Sequence, residues 1–477
     1  MLGEDEASYF FCGKEFSEGV FKVFEKVGTI NKPVVLPVFI PLIYSFFFMI
    51  FGPSLGISKI ISVIFGILTI LVVYLIGKKT DIWYGIFSSS LLLSIPLFTH
   101  FMFLAYVDVP IAFFSALITY LILKSNNLKE AILLGILLGI SYHTKTIGLF
   151  LIFMTFIFSL VSYKRSKKRM KLYLVSVSIA LLLIGPIIVK NIIYYNYPFF
   201  EGLNYFFKNP TMTTEHLMNM WGTNEIPSGI NTKLSPNILS INFYFNTFGL
   251  PLFFFMIFGF SLFCCDRKLS FLSFLLSFIV IFLLLFNLTY IGNVRIVENR
   301  YLFVIFPQMS LLGGFFLWKL KEKNNYFLLL IILLITFSVY ISITVAQGTI
   351  NSQRYPEDYI KALEWIKNNT PKDSVIFTPY GGSVKYFAER DNLWGKYVTN
   401  FNHMMKNPNS EEINSIFKKI GIDYILIWRG ILAEDVIIPE SNIMGAMTYK
   451  FSNVVINDKK HFEIVYQNQN NIVLKVL

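Results

Sequence analysis

Ten apolar stretches, at 60–76, 82–100, 109–123, 131–143, 147–163, 172–189, 249–264, 269–286, 301–318 and 326–346, fill most of the first 350 residues, and another runs at 34–51. A helix crosses the hydrocarbon core of a bilayer with about 20 apolar residues, so such a chain folds only with lipid around much of it. Composition agrees: of 477 residues, 55% are hydrophobic and 15% charged, which leaves more apolar surface than water accommodates. A wholly soluble enzyme is excluded. The fold class expected is a polytopic α-helical membrane protein.

The net charge of +12 would point to nucleic acid only if the basic side chains gathered on one water-facing surface. They do not. The segments 78–79, 124–129, 164–171, 267–268 and 319–323 hold fifteen Lys and Arg and fall at every second turn of the chain, whereas the short loops 101–108, 144–146 and 287–300 hold only Lys145, Arg295 and Arg300. Basic residues stay on the cytoplasmic side. The reading is therefore a multi-pass protein of the cell membrane whose loop at Asp108, long loop 190–248, loop 287–300 and tail from 347 lie on the outer face. No nucleic-acid partner is expected.

Pro33, Pro37 and the Gly52-Pro53-Ser54 break allow 34–51 to be a re-entrant or juxtamembrane segment that dips into the outer leaflet without crossing it, which places residues 1–32 outside as well. Met1 through Glu6 is acidic where a signal peptide would be basic and apolar, so an outer N-terminus of this length would be delivered by a preceding helix, and the expectation is that a first span is missing. Three cysteines, Cys12, Cys264 and Cys265, show no metal-ligand spacing. The organisation expected is 1–32 as a first outer loop, 33–350 as the multi-span module, and 351–477 as a soluble outer α/β domain. Helices fit 356–369 and 410–420, and short β-branched and aromatic runs fit strands at 374–378, 423–428, 462–467 and 471–476. Gly381-Gly382 reads as a turn.

In so apolar a chain, polar residues at the outer ends of spans are the leads, because each costs free energy unless it meets water or a partner. Asp5 and Glu6 form an acidic pair. Asp108 follows an apolar run and opens the next span. Lys145 defies the inside bias and calls for an anion, either a phosphate or a carboxylate such as Asp108. Lys32, Lys190 and Arg300 share that depth. Together they suggest a cleft for an anionic, lipid-borne substrate. His143 and His216 are too far apart in pattern for a zinc site.

In chain order these segments resemble the GT-C glycosyltransferases of the protein O-mannosyltransferase and aminoarabinose transferase type. Asp5-Glu6-Ala7-Ser8-Tyr9 is similar to the family's acidic motif, Asn31-Lys32-Pro33 to its entry into the next apolar segment, Asp108-Val109-Pro110 to its second acidic site and Thr144-Lys145 to its Thr-Lys step. Pro186 through Pro198 resembles a further outer stretch, and Arg300-Tyr301 with Pro307 the start of a late helix. Members begin with a span before the acidic motif. Asn31, Val34, Lys59 and Lys190 depart from the pattern, and a Lys lacks the two-pronged fork that Arg offers a phosphate.

The resemblance implies a GT-C fold and transfer of a sugar from a polyprenyl-phosphate donor, dolichyl or undecaprenyl, to a hydroxyl on an acceptor protein, lipid or glycan, beside membrane lipids as the standing partners. Breaking the sugar–phosphate bond develops charge that fixed cations stabilise, and the acceptor hydroxyl needs a base. The roles expected are Asp5 as general base in an inverting displacement, with Glu6 and Asp108 as its catalytic companions, and Lys32, Lys145, Lys190, Arg300 and Tyr301 around the donor phosphate. No cofactor is certain, and a divalent cation (Mg or Mn) between Asp5 and Asp108 stays open. An oligosaccharyltransferase-like enzyme is the alternative, although 351–477 lacks a Trp-Trp-Asp signature. A transporter or flippase would call for internal inverted repeats, which the sequence does not display.

Overall fold

A computed structural model describes residues 4–20, 24–27, 30–33, 38–163, 166–195, 279, 290–291, 294–295, 299–324, 326–352, 356–378, 383–393, 408–428 and 443–477. The expected spans 249–264 and 269–286 lie outside the described residues, except Ile279, as do His216 and Gly381-Gly382.

The acidic motif lies on a helix, α1 (Glu4–Ser17), followed by a hairpin of β1 (Phe24–Val27) and β2 (Ile30–Pro33). The helical array continues with α2 (Phe39–Phe51), α3 (Leu55–Lys78), α4 (Ile82–Leu93), α5 (Pro96–Met102), α6 (Asp108–Lys124), α7 (Leu128–Thr144), α8 (Gly148–Tyr163) and α9 (Lys167–Tyr195). After a short hairpin, β3 (Tyr290–Ile291) and β4 (Val294–Arg295), a 3-10 turn (Asn299–Val304) leads into α10 (Phe306–Lys323) and α11 (Tyr326–Ser352). Among the described residues, Leu55–Lys78, Lys167–Val189 and Tyr326–Gly348 are long and apolar enough to cross a membrane by themselves.

The stretch 82–100, expected as one span, is two helices bent by 74°. Pro96 cannot donate to the helical ladder and holds Ile95 extended. The Ser94 carbonyl freed at the break accepts from Ser342 Oγ of α11 at 2.7 Å. The stretch expected to begin at 301 likewise starts as the 3-10 turn, with Pro307 in the first turn of α10.

Side-chain caps set the helix ends. Ser54 accepts from the Gly56 N–H, Asp81 from the Trp83 N–H and Asn127 from the Glu130 N–H, while Glu130 reaches back to the Asn126 N–H at 2.8 Å. In lipid, apolar faces gain nothing by pairing with each other, so helices approach through small residues. A Cβ on Gly77 would stand 2.7 Å from Gly85 Cα, and one on Gly135 2.7 Å from the Ser176 carbonyl. Lys79 lies over the Tyr120 ring and Lys319 over Trp318, so the basic ends of α3, α6 and α10 carry cation–aromatic pairs at one level of the bundle.

The C-terminal sheet has the order β6-β5-β7-β9-β8, from β5 (Val375–Phe377), β6 (Asp391–Leu393), β7 (Tyr424–Trp428), β8 (Phe462–Gln467) and β9 (Asn471–Val476). β6, β5 and β7 are parallel, and β9 and β8 antiparallel. Strand alternation sorts the core. Phe377, Ile425 and Ile427 pack with Ile413, Phe417, Phe451 and Val455 of α13 (Ser410–Ile420) and α14 (Ile443–Asn457), while Ile376 and Leu426 pack with Tyr359, Leu363 and Ile366 of α12 (Glu357–Asn369). The expected strands and helices of this domain are present. β6, α14 and a π-turn at Val384–Ala388 were not legible in the sequence.

Candidate active site

α6 and α7 are each 17 residues long and are joined by a three-residue turn at 125–127, so the start of the first and the end of the second return to one level, about 25 Å from the turn. Asp108 is the first residue of α6 and Lys145 caps the end of α7. The helix dipoles favour an anion at the one position and a cation at the other. The two side chains form a hydrogen-bonded ion pair. Asp108 is 0% exposed and Lys145 7%, and Asp108 Oδ2 is buried without a hydrogen-bond partner among the described residues, which is costly unless a further group meets it.

Lys145 Nζ also lies 4.3 Å from the centre of the Tyr301 ring. Arg300 sits over the ring of Tyr106, 5.8 Å away, in the loop that enters Asp108. Arg300 and Tyr301 belong to the 3-10 turn, so residues about 190 positions apart in sequence meet at the mouth of α6.

The first acidic motif arrives at the same place. Glu6, 1% exposed, accepts the Ala105 N–H at 2.7 Å through Oε1, three residues before Asp108. Asp5 is its neighbour on α1; the Asp5 side chain lies outside the described residues. The backbone of Lys32 is in β2 and that of Lys190 near the end of α9, beyond Pro186, but their side chains also lie outside the described residues. His143 Nε2 meets the Leu183 carbonyl at 3.1 Å, fastening the end of α7 to α9 just ahead of that proline. Among the described residues no three His, Cys, Asp or Glu side chains gather at one point.

Below the ion pair lies a buried polar cluster that was not singled out in the sequence. The Gln308 amide of α10 lies 2.8 Å from Ser115 Oγ and 2.9 Å from Thr119 Oγ1. With its oxygen toward those hydroxyls, its nitrogen donates to the Val304 carbonyl at 3.0 Å. Ser115 Oγ is 2.6 Å from that same carbonyl. The signal was available: Asp108, Ser115 and Thr119 are spaced by seven and four, which places them on one face of a helix. The cluster locks α6 to the 3-10 turn, the two elements that carry Asp108 and Tyr301.

Comparison with known proteins places the fold. A family model for dolichyl-phosphate-mannose-protein mannosyltransferases matches residues 35–189. The structure of ArnT from Cupriavidus metallidurans bound to undecaprenyl phosphate superposes with a TM-score of 0.66 at 12% identity, over 99% of this chain and 94% of that one. The chain has the GT-C fold. The archaeal oligosaccharyltransferase AglB from Archaeoglobus fulgidus, in complex with an inhibitory peptide and a dolichol-phosphate, shares it with a TM-score of 0.65 at 15% identity, over 90% of this chain. This chain spans 66% of AglB. In sequence, 107 residues are 30% identical to the dolichyl-diphosphooligosaccharide–protein glycosyltransferase subunit stt3 of Schizosaccharomyces pombe, covering 20% of this chain and 14% of that subunit. The GT-C reading agrees with a multi-pass membrane protein bearing a C-terminal sheet domain.

Proposed function

We propose that the chain is a membrane glycosyltransferase that moves a sugar from a polyprenyl-phosphate donor to an acceptor at the outer face. The observation that carries the reading is the buried Asp108–Lys145 pair, reached by the acidic helix α1 on one side and by Arg300 and Tyr301 on the other. Its setting adds to it. ArnT in the GT-C comparison is bound to undecaprenyl phosphate, and AglB to a dolichol-phosphate.

In the proposed reaction the acceptor hydroxyl oxygen bonds to the anomeric carbon of the sugar as the bond from that carbon to the phosphate oxygen breaks. The electron pair leaves with the lipid phosphate, the hydroxyl proton passes to a carboxylate, and the anomeric centre inverts. Asp5 is the carboxylate proposed as base. Glu6 is committed to the Ala105 N–H and would hold α1 in place. Asp108 would orient the acceptor and set the direction of Lys145. Lys145 and Arg300, with Lys32 and Lys190 on neighbouring elements, would receive the charge that develops on the phosphate, and the Tyr301 ring would keep the Lys145 ammonium in place.

Among the described residues a divalent cation would find one open carboxylate oxygen, Asp108 Oδ2. One oxygen of Asp108 already faces the Lys145 ammonium, which supplies the positive charge a metal ion would bring, and Glu6 is spent on a backbone N–H. An A. fulgidus oligosaccharyltransferase structure is a complex with Zn and sulfate, so the point is open to direct trial with a chelator.

The stt3 match supports a second reading, transfer of a whole glycan to Asn. Full-length protein in lipid nanodiscs, given polyprenyl-phosphate mannose and a mixed panel of hydroxyl acceptors, separates the two by release of polyprenyl phosphate. Turnover that Asp108→Asn abolishes supports the proposal. Turnover only with a lipid-diphosphate oligosaccharide and an Asn-containing peptide favours the second reading, and undiminished turnover by Asp108→Asn overturns the site.

A further inference from the structure

The π-turn of the outer domain is over-determined. At its front, Tyr359 and Ser383 share a buried hydroxyl–hydroxyl hydrogen bond of 2.8 Å. Behind it Glu389 adopts φ +54°, a left-handed conformation that few residues other than glycine take without cost. Lys367 Nζ donates to the Glu389 carboxylate at 2.6 Å. Arg390, almost fully buried, donates through Nη2 to the Lys367 and Thr370 carbonyls, both at 2.6 Å, through Nη1 to the Ala388 carbonyl at 3.1 Å, and through Nε to Thr370 Oγ1 at 3.0 Å. π-turns and backbone outliers persist where the surroundings impose them, and both concentrate at functional positions.

This rigid turn presents two side chains to α1. The Tyr386 ring lies 5.2 Å from Phe10 at 70°, edge to face, and 6.4 Å from Phe11. Lys385 Nζ lies 5.4 Å from the centre of the Phe11 ring and 3.9 Å from Glu15 Oε1. Phe10 is buried, with its ring 5.3 Å from Phe48 of α2, so the helix is gripped between the outer domain and the membrane bundle. Glu6 stands one turn before Phe10 and ties the same helix to Ala105, next to Asp108.

We infer that the π-turn is a positioning element: through Tyr386 and Lys385 it fixes α1, and with it the acidic pair Asp5–Glu6, over Asp108. The outer domain is on this view part of the site's scaffold, and the catalytic geometry is set from both sides of α1. A displacement of about 1 Å in a positioned group can cost a hundredfold in rate, so the effect belongs in kcat. The inference rests on the glycosyl-transfer reading of the site.

The trial uses the full chain in nanodiscs, with polyprenyl phosphate release as the rate. Tyr386→Ala should lower kcat at least tenfold with the donor KM within twofold of wild type, and Tyr386→Phe should restore kcat, because the contact is made by the ring. In Tyr386→Ala, amide hydrogen exchange over residues 4–17 should quicken while that over 108–124 and the sheet stays protected. Lys385→Glu, a surface charge reversal that does not depend on the folding of the first variant, should also lower kcat, and Lys385→Glu with Glu15→Lys should recover it. Wild-type kcat in both Tyr386→Ala and Lys385→Glu overturns the inference. If Asp108→Asn stays active in the same assay, the underlying reading of the site has failed instead.

Discussion

Lys145→Met tests the centre of the site most sharply. The substitution keeps an unbranched side chain one atom shorter and removes the ammonium, leaving the Asp108 carboxylate fully buried, with one oxygen already lacking a partner and the other now deprived of its own. Removing one partner of a buried ion pair costs about 3–5 kcal/mol, or roughly two to four decades in the folded-to-unfolded ratio at about 1.4 kcal/mol per decade. Replacing both partners by uncharged groups of similar shape removes the cause of that cost. Thermal unfolding in detergent, followed by tryptophan fluorescence, should therefore rank wild type and Asp108→Asn/Lys145→Met above Lys145→Met alone. Polyprenyl phosphate release should be lost in both variants, because recovered stability does not restore the charges. If Lys145→Met melts with wild type, or the double variant loses as much as the two single changes combined, the buried pair is not the energetic unit described.

Three other outcomes follow from the geometry. Glu6→Gln retains an oxygen for the Ala105 N–H and should keep most of the transfer rate, whereas Glu6→Ala should lose it by tenfold or more; equal losses would give Glu6 a chemical role. Gln308→Leu, which strands the Ser115 and Thr119 hydroxyls, should cost about 1–3 kcal/mol in thermal or denaturant unfolding, and an unchanged transition would show the cluster to be idle. Asp458 accepts hydrogen bonds from Ser410 and from His461, and these hold its carboxyl well below the usual range. A depressed carboxylate contributes stability at neutral pH that is lost as pH falls from the ordinary Asp pKa of about 4. The amide protection factors of α13, corrected for the intrinsic exchange rate at each pH, should therefore fall on acidification below about pH 4 in wild type more than in Asp458→Asn.

What the sequence disclosed and what it withheld have distinct physical causes. Asp108 and Lys145 were legible because a charge in an apolar run must be answered, and equal helix lengths around a short turn bring the two to one level. The amphipathic helices of the outer domain were written in local pattern. The break within 82–100 carried a sign, Pro96, yet the partner that makes it tolerable, Ser342, lies 248 residues later than the carbonyl it satisfies. Contacts of that span have no local signature. The π-turn was hidden for the same reason, since Tyr359 and the Lys367 and Thr370 groups that Arg390 bonds lie on α12 and its end. The 1–32 segment was expected as a loop, and the helical periodicity of α1 was masked by its mixture of acids and aromatics.

The α6–α7 hairpin measures distance by counting residues. One residue inserted within α7 would turn everything beyond it by about 100° and advance it by about 1.5 Å, carrying Lys145 away from Asp108, and a second insertion would not bring it back. Extra residues at Ser125-Asn126-Asn127 would leave both helices intact and the pair at the far end in register. Gaps in an alignment of related sequences should therefore gather at that turn and be absent from the seventeen residues on either side of it, a pattern that membrane thickness alone would not impose.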